Sequence, residues 1–137
     1  MALAPTVTAP VVTGVGTILV VEDDPGVRRL GERILAAAGY TVLTAIDGAA
    51  ALGVLAAHAG SVELVVTDVI MPTMGGRELA RRVVEARPGT RVLFTSGYPG
   101  DILTGDGTLP KGAPFIGKPY AADELIATVR EVLAERA

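Results

Sequence analysis

From Thr17 onward, short apolar stretches alternate with stretches whose apolar residues recur at helical spacing. The short stretches predict five strands, at residues 18–21, 41–45, 62–67, 91–95 and 113–117. The helical spacing is carried by Val27, Leu30, Ile34 and Leu35, by Leu52 and Leu55, by Leu79, Ala80, Val83 and Val84, and by Leu125, Ile126, Val129, Val132 and Leu133. We expect Gly39 to end the first helix and Asp47 to cap the second.

The predicted strands are mostly apolar and do not alternate regularly between apolar and polar residues. This pattern indicates a sheet that helices cover on both faces, and therefore parallel strands joined by helical crossovers. The chain is thus predicted to be an α/β protein with a doubly wound five-stranded parallel sheet.

One stretch departs from the strand–helix alternation. Residues 97–117 contain six glycines and three prolines, which leaves only residues 101–104 as helix material. Each glycine inside a helix costs about 0.5–1 kcal/mol. We therefore expect the fourth helix, before the fifth strand, to be short or irregular.

The composition narrows the class of protein. A chain of 137 residues, half of them hydrophobic, fits one domain with a substantial core. The absence of cysteine excludes disulfides, thiolate metal sites and a cysteine nucleophile. A net charge of −3 gives no general attraction to nucleic acid or anionic lipid, and no apolar run is long enough to span a bilayer. We expect a cytoplasmic domain without direct contact with nucleic acid or membrane.

The first sixteen residues differ from the rest of the chain. They contain no charged side chain and include Pro5, Pro10, Gly14 and Gly16. A secretory signal would have basic residues before an unbroken apolar stretch, and Pro10 interrupts the one candidate stretch. We predict a flexible arm or linker at residues 1–16 and a folded domain at residues 17–137.

Polar residues collect where the predicted strands end, and ligands of parallel sheets bind beyond these carboxyl ends. The residues concerned are Glu22, Asp23 and Asp24 after strand one, Asp68 after strand three, Thr95 and Ser96 at strand four, and Lys118 after strand five. Clustered carboxylates repel one another, and a divalent cation relieves that repulsion. Oxygen ligands without histidine or thiolate favour Mg²⁺, with Mn²⁺ as an alternative. An aspartate beside a metal and a lysine can attack phosphorus and form an aspartyl phosphate.

Four blocks resemble the signature of response-regulator receiver domains, and all of them occur in family order. They are Val20-Val21-Glu22-Asp23-Asp24-Pro25, Asp68-Val69-Ile70-Met71-Pro72, Thr95-Ser96-Gly97 and Lys118-Pro119. The resemblance runs from about Thr17 to the C-terminus and implies a flavodoxin-like receiver fold with strand order 2-1-3-4-5. The sequence around Ser96 is most similar to receivers of hybrid sensor histidine kinases.

The resemblance also implies roles for individual residues. Asp68 would accept a phosphoryl group from a phosphohistidine of a histidine kinase or a histidine phosphotransfer protein. The implied metal ligands are Asp68, the backbone carbonyl of Ile70, and the acidic pair of Glu22 and Asp23, which would bind Mg²⁺ directly or through water. Ser96 would be the switch hydroxyl, Phe115 the switch aromatic and Lys118 the phosphate-binding lysine. Receivers usually have a cis peptide bond at the position of Lys118 and Pro119, whereas only about 5–6% of X–Pro bonds are cis.

Several of these residues have simpler structural interpretations. Asp24 before Pro25 is typical of a helix cap, and we favour that role over metal binding. Phe115 is the least secure assignment, because an aromatic residue in a strand more often belongs to the core. His58 is interpreted as a solvent-facing residue at a helix end, not as a phosphodonor.

Two departures from the family pattern limit the implied function. Ile70, two residues after the acceptor, is apolar and cannot orient a hydrolytic water, so we expect a long-lived phosphoryl group. The poor fourth helix argues against the family's common dimer, so we expect a monomer or a weak dimer.

Rival functions fit the residues less well. A haloacid-dehalogenase-type phosphatase needs an acid where Ile70 stands, and a nucleotide-binding module needs a phosphate loop where Asp23 and Asp24 stand. A scaffold that is never phosphorylated would not need Asp23, Asp68, Ser96 and Lys118 together. We therefore predict a phosphoacceptor that assists its own phosphorylation and dephosphorylation and has no separate substrate. It would be either a stand-alone regulator or the receiver of a longer kinase chain.

Overall fold

The computed structural model describes residues 15–97 and 113–135. Nine elements lie in these ranges and are labelled here in chain order. They are β1 (Thr17–Val21), α1 (Pro25–Ala37), β2 (Thr41–Ala45), α2 (Gly48–Ala57), β3 (Leu64–Asp68), α3 (Gly76–Ala86), β4 (Arg91–Ser96), β5 (Phe115–Gly117) and α4 (Ala122–Ala134). The predicted arm up to residue 14 and the predicted irregular helix after β4 lie outside the described residues.

The five strands form one parallel sheet in the order β2-β1-β3-β4-β5. The predicted fold class and strand order are therefore confirmed. The third strand begins two residues later than expected, at Leu64, although the Glu63 amide already donates to the Thr17 carbonyl at 2.9 Å. The fifth strand is shorter than expected and begins at Phe115.

The core lies in two layers, one on each face of the sheet. Alternate residues of β1 divide between them, since Ile18 and Val20 pack with α1 and α4 while Leu19 and Val21 pack with α2 and α3. Complete burial of one such side chain contributes about 1.5–3 kcal/mol. The two helical layers thus explain why the strands are mostly apolar and show no regular alternation.

Short polar residues fix where the first two helices begin. The Asp24 carboxylate accepts hydrogen bonds from the amides of Gly26 and Val27, and Pro25 occupies the first turn of α1. The Asp47 carboxylate accepts from the amide of Ala50 at the start of α2. Gly39 follows α1 with a φ of 105°, a conformation that glycine adopts at little cost. The predicted caps and the predicted end of α1 are confirmed.

Two residues that the helical spacing placed on apolar faces are exposed. Leu30 on α1 is 41% exposed and Val84 on α3 is 51% exposed. On α1 the buried positions are Gly31, Ile34 and Leu35, so the stripe that faces the sheet runs through a glycine and leaves Leu30 at its side. Among the described residues, no helix is both long and apolar enough to cross a membrane.

Gly76 fixes the distance between α3 and the end of β3. Its amide donates a hydrogen bond to the Val69 carbonyl at 2.8 Å. A methyl group at this position would overlap the backbone carbonyl oxygen of Asp68. The first turn of α3 therefore packs directly against the backbone of Asp68, and only glycine leaves enough room.

We predict that Gly76→Ala destabilises the fold by about 1–3 kcal/mol, because overpacking against backbone cannot be relieved by a side-chain rotation. The matched control is Gly53→Ala in α2, where an added methyl group meets nothing within 4 Å. Gly53→Ala should stabilise by about 0.5–1 kcal/mol through helix propensity. The measurement is urea unfolding followed by circular dichroism, and equal midpoints for the two variants would contradict this packing.

Candidate functional site

Three carboxylates meet at the carboxyl edge of the sheet, between the neighbouring strands β1 and β3. Glu22 and Asp23 follow β1, and Asp68 is the last residue of β3. One carboxylate oxygen from each of the three lies within 4.8 Å of the others. Glu22 and Asp68 are buried, while Asp23 is exposed. The cluster therefore has two buried members and one member open to solvent.

Lys118 extends from the end of β5 into this carboxylate cluster. Its Nζ lies 2.6 Å from Asp68 Oδ2 and 3.0 Å from Glu22 Oε1. The side chains of Lys118, Glu22 and Asp68 are 16%, 5% and 9% exposed. One ammonium thus bridges two buried carboxylates that stand 46 residues apart in the chain.

Burial and pairing act in opposite directions on these charges. Burial alone would lower the pKa of Lys118, but the hydrogen bonds to Asp68 and Glu22 outweigh it and raise the pKa above its ordinary value. Burial raises the pKa of Glu22 above its ordinary value, although Lys118 and the Asp24 amide partly offset this. The pocket therefore holds a firmly protonated lysine beside a carboxyl group that is costly to ionise.

The loop after β1 holds Glu22 at several points. The Asp24 amide donates to Glu22 Oε2 at 3.1 Å, and the Glu22 amide donates to the Ala45 carbonyl at 3.1 Å. Arg28 on α1 donates through Nη1 to the backbone carbonyl of Glu22 at 2.8 Å. Asp24 itself caps α1, as predicted. Sequence reasoning missed Arg28, whose signal was a basic residue one turn into a helix that begins beside the acids.

The loop after β3 holds the other side of Asp68. The Ile70 amide donates to Asp68 Oδ1 at 3.3 Å, and the Ile70 side chain is 52% exposed. Thr73 in the same loop has a φ of 71°, in the left-handed region that a β-branched residue rarely adopts. The apolar side chain two residues after Asp68 therefore faces solvent at the rim of the pocket.

The two hydroxyl residues at the end of β4, Thr95 and Ser96, have different register partners on the neighbouring strands. In the sheet register Asp68 is paired with Thr95, and Ser96 is paired with Gly117. The side chains of Asp68 and Thr95 therefore project from the same face of the sheet. The backbone carbonyl of Ser96 accepts a hydrogen bond from the Lys118 amide at 2.8 Å. Both residues are buried, and the assignment of Ser96 as the switch hydroxyl stays a prediction.

The remaining predicted residues lie on β5, directly after it, and at the end of α2. Phe115 is 39% exposed, so the alternative that it belongs to the core is wrong, and its role as a switch aromatic stays a prediction. Its register partner Phe94 is buried. His58 is half-buried at the C-terminal end of α2, where Arg87 donates to its carbonyl. The peptide bond between Lys118 and Pro119 is cis, as predicted.

The donor set fits a hard divalent cation. Three carboxylates offer oxygen atoms within 4.8 Å of one another, and Asp23 is exposed to the water that Mg²⁺ usually keeps as a ligand. Lys118 neutralises only part of the negative charge of this cluster. The residues that would hold Mg²⁺ are Glu22, Asp23 and Asp68.

Comparison with known proteins gives a family match. The sequence matches the family described as the response regulator receiver domain over residues 18–130. It is 38% identical over 126 residues to the sensor kinase CckA of Brucella abortus (strain 2308), covering 90% of this chain and 13% of that protein. It is 35% identical over 116 residues to the response regulator receiver protein CpdR of the same organism, covering 85% of this chain and 95% of CpdR. The chain thus spans a small part of one relative and nearly all of the other.

Solved structures give the same result. The receiver domain of the hybrid histidine kinase CckA superposes with a TM-score of 0.67 and 35% identity, covering 86% of this chain and 99% of that one. The response regulator TrrA of Thermotoga maritima, solved in complex with Mg²⁺–BeF, superposes with a TM-score of 0.72 and 27% identity, covering 85% of this chain and 98% of that one. These similarities confirm the expected fold and the resemblance to hybrid-kinase receivers.

We predict that Lys118→Ala destabilises the metal-free protein by about 3–5 kcal/mol, because it leaves two buried carboxylates without their cation. Mg²⁺ affinity should be retained or increase, because the lysine competes with the metal for the same oxygens. Urea unfolding and isothermal titration calorimetry measure the two effects. The control is Arg82→Ala, whose ion pair with Glu78 is solvent-exposed and should leave the unfolding free energy nearly unchanged. Loss of Mg²⁺ binding in Lys118→Ala would contradict this assignment of the cluster.

Proposed function

The chain belongs to the response regulator receiver domain family, and on that premise we propose that Asp68 is the phosphoacceptor of a two-component phosphorelay. The observation that carries the proposal is the buried contact of 2.6 Å between Asp68 Oδ2 and Lys118 Nζ beside two further carboxylates. This arrangement supports the proposal, because a small anion bound at Asp68 could contact the Lys118 ammonium and also a metal held by the carboxylates. The implied donor is a phosphohistidine of a histidine kinase or of a histidine phosphotransfer protein. The transfer would take place in the cytoplasm.

The proposed transfer is a displacement at phosphorus. A carboxylate oxygen of Asp68 forms the new P–O bond while the P–N bond to the donor histidine breaks, and its electron pair returns to the imidazole nitrogen. Lys118 already lies at Asp68 and can pair with a phosphoryl oxygen as negative charge moves there. Mg²⁺ held by Glu22, Asp23, Asp68 and the Ile70 carbonyl would add positive charge beside the same oxygens. The chain thus assists its own phosphorylation and acts on no separate substrate.

The proposed output is a change of protein contacts around β4 and β5. A phosphoryl group at Asp68 brings new acceptor oxygens near Lys118 and the hydroxyls at the end of β4. Lys118 donates its amide to the Ser96 carbonyl, so the ends of these two strands are already tied together. Phe115 is exposed one strand away and is the aromatic residue whose packing would change. This is a two-state switch driven by local charge.

We predict that beryllofluoride with Mg²⁺ binds the protein and that Asp68→Asn abolishes both this binding and labelling by a phosphodonor. The reason is that Asp68 supplies the nucleophilic oxygen, which an amide cannot replace. Two-dimensional NMR should show the largest changes at Ser96, Phe115 and Lys118. Equal labelling of Asp68→Asn and wild type would refute the assignment, and binding without any shift at Ser96 would refute its switch role.

The Ile70 side chain carries a prediction about phosphoryl lifetime. Ile70→Asn should shorten the lifetime by up to about 10²-fold, because the amide can orient a water at phosphorus as a positioned polar group. Ile46→Asn is the matched control, since Ile46 is a comparably exposed isoleucine after β2. The measurement is loss of labelled phosphate after the donor is removed. A wild-type lifetime of seconds, or equal effects of both variants, would contradict this role.

A further inference from the structure

Tyr120, which no prediction from the sequence included, lies two residues after Lys118 and packs against α1. It is 8% exposed and belongs to the core layer formed with α1 and α4. A methyl group added to Gly31 of α1 would lie 2.9 Å from the Tyr120 hydroxyl oxygen, 3.7 Å from Val20 Cγ1 and 4.0 Å from Tyr120 Cζ. The hydroxyl of Tyr120 therefore occupies the space that any other side chain at position 31 would need.

A glycine in this place needs a packing reason. Gly31 is buried in the interior of α1, where glycine is less favourable than alanine by about 1 kcal/mol. Only the hydroxyl oxygen lies closer to the added methyl group than ordinary van der Waals contact. Gly31 and the Tyr120 hydroxyl therefore form a matched pair, here called the α1 notch.

The α1 notch and β4 hold the chain on both sides of the Lys118 side chain. The Lys118 amide is fixed to the Ser96 carbonyl at 2.8 Å, and the α1 notch holds Tyr120 two residues later. The lysine side chain is long and flexible, yet its ammonium must meet carboxylates from two different strands. Burial, and then the charge of Glu22, raise the pKa of Tyr120, which places the tyrosine within electrostatic range of the acidic cluster.

We propose that Tyr120, seated in the α1 notch, is a positioning residue that keeps the Lys118 ammonium in reach of Asp68 and of the incoming phosphoryl group. The proposal rests on the proposed phosphoacceptor function of Asp68. Its physical basis is that phosphoryl transfer here depends on the placement of one cation, and a shift of about 1 Å in a reacting group can cost about 10²-fold in rate. Helix α1 would then position the lysine as well as Glu22, whose backbone carbonyl accepts a hydrogen bond from Arg28.

The test is a double-mutant cycle of Gly31→Ala and Tyr120→Phe. Gly31→Ala should displace Tyr120 and slow labelling by phosphoramidate about tenfold, with Mg²⁺ affinity unchanged because the acids keep their own contacts. Adding Tyr120→Phe removes the hydroxyl and leaves only ordinary contacts at 3.7 Å and 4.0 Å. The double variant should therefore label at the rate of Tyr120→Phe alone, to within about twofold. Absence of this rescue would overturn the proposal.

Two controls separate positioning from general destabilisation. Gly53→Ala, an exposed glycine-to-alanine change in α2, should leave the labelling rate unchanged. In a Lys118→Ala background, Gly31→Ala should have no further effect on labelling, because the lysine that Tyr120 positions is then absent. An equal slowing by Gly31→Ala with and without Lys118 would show that it does not act through the lysine.

The remaining outcomes also decide the question. If Gly31→Ala does not fold, Tyr120→Leu replaces it and should slow labelling only when Lys118 is present. If wild type is not labelled at all, the proposed function is wrong, and the positioning is read from the NMR signal of the Lys118 ammonium. That signal should move in Gly31→Ala, return in the double variant and stay in place in Gly53→Ala. A Lys118 ammonium signal that does not shift in Gly31→Ala would by itself overturn the positioning role.

Discussion

The contact between the Lys118 ammonium and the carboxylates of Asp68 and Glu22 is the constraint on which the pocket depends. Burial of charged carboxylates is costly, and one lysine placed between these two offsets part of that cost for each of them. The arrangement stabilises the fold. It also prepares the pocket for phosphorylation, because the Lys118 ammonium between the two acids can bind a phosphoryl group that attaches to Asp68. The same charged groups thus contribute to the stability of the fold and to the proposed phosphoryl transfer.

The parallel sheet makes this contact possible. In a doubly wound sheet every strand ends at the same edge, so residues far apart in sequence meet without a long loop between them. Gly76 packs against the backbone at Asp68, the Asp24 cap fixes the start of α1, and Arg28 holds the carbonyl of Glu22. The pocket is therefore assembled from the ends of regular elements, which gives charged side chains a rigid support.

Much of this architecture was predictable from the sequence because its signals are local. Apolar runs of four to six residues predict strands, and Asp24 and Asp47 mark helix starts through hydrogen bonds that span two or three residues. Because all strands of a parallel sheet end at the same edge, the sequence also predicted that Asp23, Asp68 and Lys118 lie at one edge of the sheet. Exposure was less predictable, since the helical spacing alone could not show that Leu30 lies beside the buried stripe of α1 and not within it.

The sequence by itself determined the layers, the parallel sheet and the identity of the acids and the lysine, because spacing and residue chemistry act over a few neighbouring positions. Only the tertiary structure decided which side-chain atoms are in contact. It showed that Lys118 bridges Glu22 as well as Asp68, and that the hydroxyl of Tyr120 fills the notch at Gly31. Such contacts change when the spacing of elements that are remote in the chain changes by a few tenths of an ångström, and no local pattern encodes that spacing.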